Sequence, residues 1–278
     1  MFKQMPTIAG ALLLAGSLTA QIAVNSNDKI AFLGDSITAQ GNSFQAGYVN
    51  LVMAGLKANG INAVKIPAGI SGHKSDNMLA RLGRDVLGKK PQIMLLSCGV
   101  NDVWHGKRGV GLPDYKKNIT AIVDQAQAAG IKVCILTATM IREDPKNAAN
   151  TQLAAYNDFL RALAKEKNCL LADLNADMQQ ALAAFKAAHP QAKGNLLTVD
   201  GVHMNPLGNV MMAKGVLRAF GLTDAQIDKA EAAWESLAGN TGSLQLPVRD
   251  FRILSERAAD AGISVSDYIR QLIRKDVK

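Results

Sequence analysis

Metal-binding and cross-linking residues are scarce in this chain: 278 residues contain three cysteines and four histidines, and aromatic residues make up only 5%. Cys98, Cys134 and Cys169 are odd in number, and no Cys-x-x-Cys or His-x-x-x-His spacing occurs. A disulfide framework and a metal centre are therefore disfavoured, and the expected metal and cofactor complement is none. Each cysteine falls in an apolar run that reads as a core strand, so buried thiols are expected. A Cys98–Cys134 bridge between neighbouring strands stays open as the less favoured reading, since spacing does not establish the geometry. Also missing is any concentrated block of one charge. The excess of 31 Lys and Arg over 23 Asp and Glu, net +8, is spread along the chain and reads as a solvated basic face, so no nucleic-acid partner is expected. What is abundant is apolar residue, 48% of the total, enough for one large core with a small appendage.

The amino terminus carries Lys3 and then an apolar stretch over 8–18, with small residues at Ala15, Gly16, Ser17, Thr19 and Ala20. This pattern reads as a secretory signal peptide over 1–23, cleaved near Ala20 or Ala23. Ser17, Thr19 and Gln21 interrupt the stretch well before the roughly 20 apolar residues of a spanning helix, so no membrane span is expected after cleavage. The expected location is periplasmic or extracellular. No cysteine lies near the cleavage point, which gives no support to a lipid anchor.

Short runs rich in branched residues at 29–33, 63–66, 93–97, 132–136 and 169–172 have the character of buried parallel strands. Between them lie stretches with helical spacing. Tyr48, Val49, Val52, Met53 and Leu56 form one face, ended by Asn59-Gly60; Met78, Leu79, Leu82 and Val86 form another, with Ser75 as start cap and Gly88 as stop. Ile119, Ile122, Val123 and Ala126 make a third, closed by Gly130, and Leu153, Tyr156, Leu160 and Leu163 a fourth. Asn205-Pro206 suits an N-cap and first helical residue, with helix running to about Phe220. Such alternation implies an α/β fold, a three-layer α/β/α sandwich with a central parallel sheet, over 24–221.

Four polar clusters follow apolar runs in fixed order: Gly34-Asp35-Ser36, Gly69-Ile70-Ser71-Gly72, Gly99-Val100-Asn101-Asp102 and Asp200-Gly201-Val202-His203. A parallel sheet would gather them at the carboxyl ends of its strands, where ligands bind. They supply a hydroxyl, an imidazole, a carboxylate and hydrogen-bond donors. A serine hydroxyl needs a base to become a nucleophile, and His203 is the candidate; Asp200 would hold one imidazole tautomer and stabilise the imidazolium. The Ser36 N–H, the Gly72 N–H and the Asn101 amide are candidate donors to a developing oxyanion. Taken singly, each residue has a plainer use: Ser36 as a helix N-cap, Gly72 as a positive-φ turn residue, Asn101 as a loop cap, Asp200 as a turn former, His203 as a core histidine. Asp35 and Asp102 read as structural carboxylates. His73 and His105 are expected to flank the pocket mouth and His189 to be solvated. A two-metal phosphoesterase using Asp35, Asn101, Asp102, Asp200 and His203 is disfavoured by the shortage of histidine, and an ordinary α/β-hydrolase by the lack of a Gly-x-Ser-x-Gly elbow.

In these four blocks the chain resembles the SGNH hydrolases, also called the GDSL-like lipase/esterase family, over roughly 29–220. Ile37 stands where the family name has leucine. The resemblance implies a flavodoxin-like sandwich, Ser36 as nucleophile with Asp200 and His203 completing a triad, Gly72 and Asn101 as oxyanion donors, and hydrolysis of an ester or thioester through an acyl-enzyme. Trp104 and His105, just after Asn101, suit a shallow aromatic and polar platform, and Arg142 is placed to reach substrate; with His73 they are the candidate substrate-binding residues. The expected substrate is a small-molecule or glycan ester carrying a small acyl group such as acetyl. A lysophospholipase or thioesterase of the same family and a non-catalytic glycan-binding member are the alternatives.

Beyond 222 the pattern changes. A helical stretch over 223–237 leads to a linker at 239–242, a strand-like 244–246, a helix over 248–261, Gly262 and a helix over 266–275. The segment 244–278 resembles a ribbon-helix-helix unit, which implies a small, mainly helical extension over 222–278 and a homodimer through it; DNA binding does not suit an exported protein.

Overall fold

The computed structural model describes residues 22–242 and 244–276. The leader expected over 1–23 lies, except for its last two residues, outside this range. The elements in order are β1 (Lys29–Gly34), α1 (Ser36–Ser43), α2 (Tyr48–Ala58), β2 (Val64–Gly69), α3 (Ser75–Asp85), β3 (Ile93–Ser97), α4 (Val100–Trp104), α5 (Leu112–Ala128), β4 (Lys132–Leu136), α6 (Ala148–Glu166), β5 (Leu170–Ala172), α7 (Leu174–Ala188), α8 (Pro206–Ala219), α9 (Asp224–Trp234), β6 (Ala238–Asn240), β7 (Gln245–Pro247), α10 (Val248–Asp260) and α11 (Val265–Asp276). Strands β2-β1-β3-β4-β5 form one parallel sheet in that spatial order. Helices α2, α8 and α9 pack together on one face, and α3, α5 and α6 in succession on the other. The fold is the three-layer sandwich the alternating pattern implied.

Central strands β1, β3 and β4 are almost wholly buried, which is why they read as unbroken branched runs. The register aligns Leu33 with both Ala68 and Leu96, so the carboxyl ends of β1, β2 and β3 lie level. The order 2-1-3 reverses direction at β1, and the loops leaving β1 and β3 flank that switch point, the place where open parallel sheets bind ligands.

Several boundaries differ from the sequence expectation. Strand β2 runs through Pro67 to Gly69 rather than stopping at Ile66, because it is an edge strand and a missing N–H costs little there. Ser75 is the first residue of α3, not its cap, and Lys74 precedes it as the cap. Only Cys134 lies within a strand; Cys98 follows β3, Cys169 precedes β5 and is half-buried, and all three are free thiols. The supposed linker at 239–242 is instead part of an antiparallel hairpin, β6 with β7, anchored where Ala46 N–H donates to the Ala238 carbonyl at 2.9 Å. Helix α10 packs on α8, and α11 on α10. His189 is not merely solvated: its Nδ1 lies 2.8 Å from Asp260 Oδ1, tying the end of α7 to α10. Among the described residues, no helix is long and apolar enough to cross a membrane.

Candidate active site

Ser36 opens α1 at the carboxyl end of β1, and Asp35 is the helix cap, its side chain accepting from the Ile37 N–H at 2.9 Å. This frees the Ser36 hydroxyl from a capping role and sets it at the positive end of a helix. The hydroxyl lies 2.8 Å from His203 Nε2, although the two residues are 167 positions apart. His203 Nδ1 is 2.6 Å from Asp200 Oδ2. The other Asp200 oxygen accepts the backbone N–H groups of Val202 at 2.9 Å and His203 at 2.8 Å. Partial burial pushes the Asp200 carboxyl up, but the His203 side chain and these two N–H groups outweigh it and hold the group below the ordinary carboxylate range. An ionised Asp200 accepts the proton of Nδ1, which leaves Nε2 free to accept from the serine.

Gly72 sits with φ of 76° in the turn closed by His73 N–H to the Ile70 carbonyl, a conformation glycine adopts without strain. Asn101 lies in the first turn of α4 and is buried; its amide donates to the His73 carbonyl at 3.1 Å and more weakly to Asp35 Oδ2 at 3.4 Å. Burial raises the Asp35 carboxyl to about 6, opposed by the Ile37 N–H and by His203. Asp102 braces the loops from behind, accepting the Ser75 N–H at 3.0 Å and the Ser75 hydroxyl at 2.7 Å. Both aspartates therefore bond nearby structure.

Of the residues expected near the mouth, Trp104 is 44% exposed, and the Arg142 guanidinium stands 5.6 Å from its ring centroid. That spacing is within cation–π range and presents a flat, polar-edged surface one helical turn from Asn101. His105 caps α4 at its carboxyl end and is half-buried. His73 turns inward: its Nδ1 accepts from Arg81 Nε at 3.1 Å, and burial followed by the Arg81 charge lowers its pKa. A groove of about 390 Å³ elsewhere, lined by Val199, Leu244, Phe251, Val265, Ile269 and Ile273 among others, contains none of Ser36, Asn101 and His203.

Sequence reasoning missed Arg81. It is buried on α3 and donates to the carbonyls of Gly34 and Ala68, each at 2.8 Å, tying together the carboxyl ends of β1 and β2 beside their polar loops. The available signal was a cation one turn from Met78 on an apolar helix face.

Residues 32–210 match the GDSL-like Lipase/Acylhydrolase family. An acetylxylan esterase of Geobacillus stearothermophilus is 26% identical over 219 residues, spanning 71% of this chain and 96% of the relative. Its crystal structure superposes with a TM-score of 0.64 at 26% identity, covering 72% of this chain and 97% of that one. Structures described as catalytic mutants of that esterase replace a serine or a histidine by alanine. Esterase TesA of Pseudomonas aeruginosa is 30% identical over 199 residues, 69% of this chain and 89% of the relative. The acetyl xylan esterase AlAXEase is 33% identical with a TM-score of 0.61, covering 69% of this chain and 98% of that one.

Proposed function

Because the chain belongs to the GDSL-like lipase/acylhydrolase family and is a carboxylic ester hydrolase, we propose that Ser36, His203 and Asp200 are its catalytic groups and that it removes acetyl from carbohydrate esters after export. The observation that carries this reading is the unbroken line of contacts from Ser36 Oγ through His203 to Asp200, at 2.8 and 2.6 Å. Ser36 Oγ attacks the acyl carbon as its proton passes to His203 Nε2. The tetrahedral intermediate collapses with breakage of the ester C–O bond, and His203 returns the proton to the departing sugar oxygen. Water, deprotonated by His203, then attacks the acyl-enzyme, releasing acetate and restoring the serine. The candidate donors to the oxyanion are the N–H groups of Ser36 and Gly72 and the amide of Asn101. Engaging that amide requires it to weaken its present bonds to His73 and Asp35. Asn101→Ala should lower kcat about 10²–10³-fold with a much smaller change in KM, as for loss of one oxyanion donor. Steady-state rates on 4-nitrophenyl acetate measure it, and an unchanged kcat removes Asn101 from the oxyanion site.

Two features support the small acyl group and the sugar. The relatives include enzymes named for acetylxylan, and the exposed Trp104 ring, with the Arg142 guanidinium over one face, offers an aromatic and cationic surface for a pyranose ring. The acyl preference tests this directly. The expected kcat/KM for the 4-nitrophenyl acetyl ester exceeds that for the octanoyl ester by about tenfold or more, since a site fitted to an acetyl group discriminates against added methylenes. Acetate release from acetylated xylo-oligosaccharides is the natural companion assay. Faster octanoyl turnover would favour the lysophospholipase or thioesterase reading.

A further inference from the structure

Arg142 and Glu143 are consecutive non-glycine residues with positive φ, 61° and 47°. Left-handed backbone at two neighbouring side-chain-bearing residues is unfavourable, and it persists where surrounding contacts over-determine it. The Asn150 side chain holds the flanking residues, accepting the Ile141 N–H at 2.8 Å and donating to the carbonyls of Ile141 at 2.7 Å and Asp144 at 2.6 Å, while the hydrogen bonds of the Glu143 carboxylate and the Arg142 N–H lead to the segment carrying Asp200 and His203. Glu143 is only 6% exposed and forms no ion pair among the described residues. Its carboxylate accepts the N–H groups of Leu196 at 2.7 Å, Leu197 at 2.9 Å and Thr198 at 2.6 Å, and the Thr198 hydroxyl at 2.6 Å. Three of these donors converge on Oε1 and the Leu196 N–H meets Oε2, so both carboxylate oxygens act as acceptors. The Thr198 oxygen in turn accepts the Gly201 N–H at 3.1 Å, and the Gly201 carbonyl accepts the Arg142 N–H at 2.6 Å. Gly201 has φ of 93°, and a β-carbon there would lie 3.2 Å from Arg142 Cα, so corner and turn meet backbone to backbone.

The same segment is one arm of a small ribbon. Val199 N–H donates to the His203 carbonyl at 2.8 Å, Asn205 N–H to the Leu197 carbonyl at 3.0 Å, and Thr198 bridges Met204 in antiparallel fashion. Asp200 and His203 stand on the turn that joins the two arms. We propose that Glu143 is a positioning residue for this site: its buried carboxylate fixes the 196–198 arm, and the ribbon passes that constraint to the contacts of His203 with Asp200 and Ser36. The inference rests on the reading of those three residues as the catalytic groups. The Glu143 side chain bonds to Leu196, Leu197 and Thr198 and to none of Ser36, Asp200 and His203. A carboxylate is needed because an amide in its place turns an NH₂ group toward the Leu196 N–H, leaving that donor opposed rather than bonded.

The test compares wild type with Glu143→Gln, Glu143→Ala and Thr198→Val in the full chain, using 4-nitrophenyl acetate, thermal melting, circular dichroism and the proton NMR signal of the His203 Nδ1–H. Expected per natively folded molecule is a kcat lower by about 10-fold in Glu143→Gln and about 100-fold in Glu143→Ala, with KM within about twofold. The Nδ1–H signal should broaden or move upfield in both. A residue of merely structural importance would lower the melting temperature and leave kcat per folded molecule and the proton signal unchanged, and that result overturns the proposal. If neither Glu143 variant folds, Thr198→Val decides, because it cuts the hydroxyl relay to Gly201: a several-fold lower kcat supports the inference, and an unchanged one overturns it. Ser36→Ala in the same series separates the two levels. Equal rates for Ser36→Ala and wild type defeat the site assignment itself, whereas full kcat in the Glu143 variants beside an inactive Ser36→Ala defeats only the positioning role.

Discussion

Ser36→Ala should lower kcat for 4-nitrophenyl acetate by about 10⁴–10⁶-fold while leaving the melting temperature close to that of wild type. The size follows from the mechanism: without the oxygen at 2.8 Å from His203 Nε2 there is no acyl-enzyme, and what remains is the imidazole acting on water beside a few oriented donors. The unchanged stability follows from the cap. Asp35, not Ser36, satisfies the N-terminal N–H of α1, so removing the hydroxyl costs no capping bond, a loss that would otherwise amount to about 1 kcal/mol. A fluorophosphonate that labels wild type once per chain should leave the variant unlabelled. Wild-type rates from the alanine protein would end the assignment.

That distinction between cap and nucleophile was not legible at Ser36 alone, where a helix N-cap is the commoner use. It became legible through order: four polar clusters, three of them at the carboxyl ends of β1, β2 and β3 and the fourth on the turn between α7 and α8. Strands β1, β3 and β4 advertise themselves because both faces are covered, and their branched runs end where the chain must become polar. Local pattern failed where the deciding contact is distant. Pro67 argues against a strand until β2 is known to lie at the sheet edge. Residues 239–242 look like a linker because the partner that anchors their hairpin, the loop at Ala46, lies far away in sequence. Helix α7, rich in alanine and with a weak apolar face, gave too little periodicity to read. Arg81 and Glu143 escaped for the same reason. Arg81 reaches Gly34 across 47 positions, and Glu143 reaches Leu196 across 53, and neither carries a motif. Short-range chemistry such as Asp200 and His203 three apart in a turn was visible; the groups that hold the turn in place were not.

Asp200→Asn should lower kcat by about 10⁴-fold in a protein that still folds. In wild type one carboxylate oxygen accepts two backbone N–H groups and the other faces His203 Nδ1. Asparagine has only one acceptor oxygen. Directed at the N–H groups of Val202 and His203, that oxygen preserves the turn, and two backbone donors favour this orientation over the single imidazole. The NH₂ group then faces Nδ1, which must accept, and the ring proton moves to Nε2. An imidazole protonated at Nε2 donates to Ser36 and cannot take its proton, so the geometry survives while the base is lost. The variant also loses a pH dependence. Since the folded-state pKa of Asp200 is depressed, its ionised form contributes stability that is fully present above the unfolded-chain value near 3.8 and is lost as pH falls through the folded value. The asparagine protein lacks that contribution at every pH, so the difference in melting temperature from wild type should shrink in acid. Nitrogen NMR of the His203 ring reads the tautomer directly: protonation at Nε2 in the variant and at Nδ1 in wild type is expected. A kcat within tenfold of wild type, or an unchanged tautomer, would show that Asp200 does not orient the base.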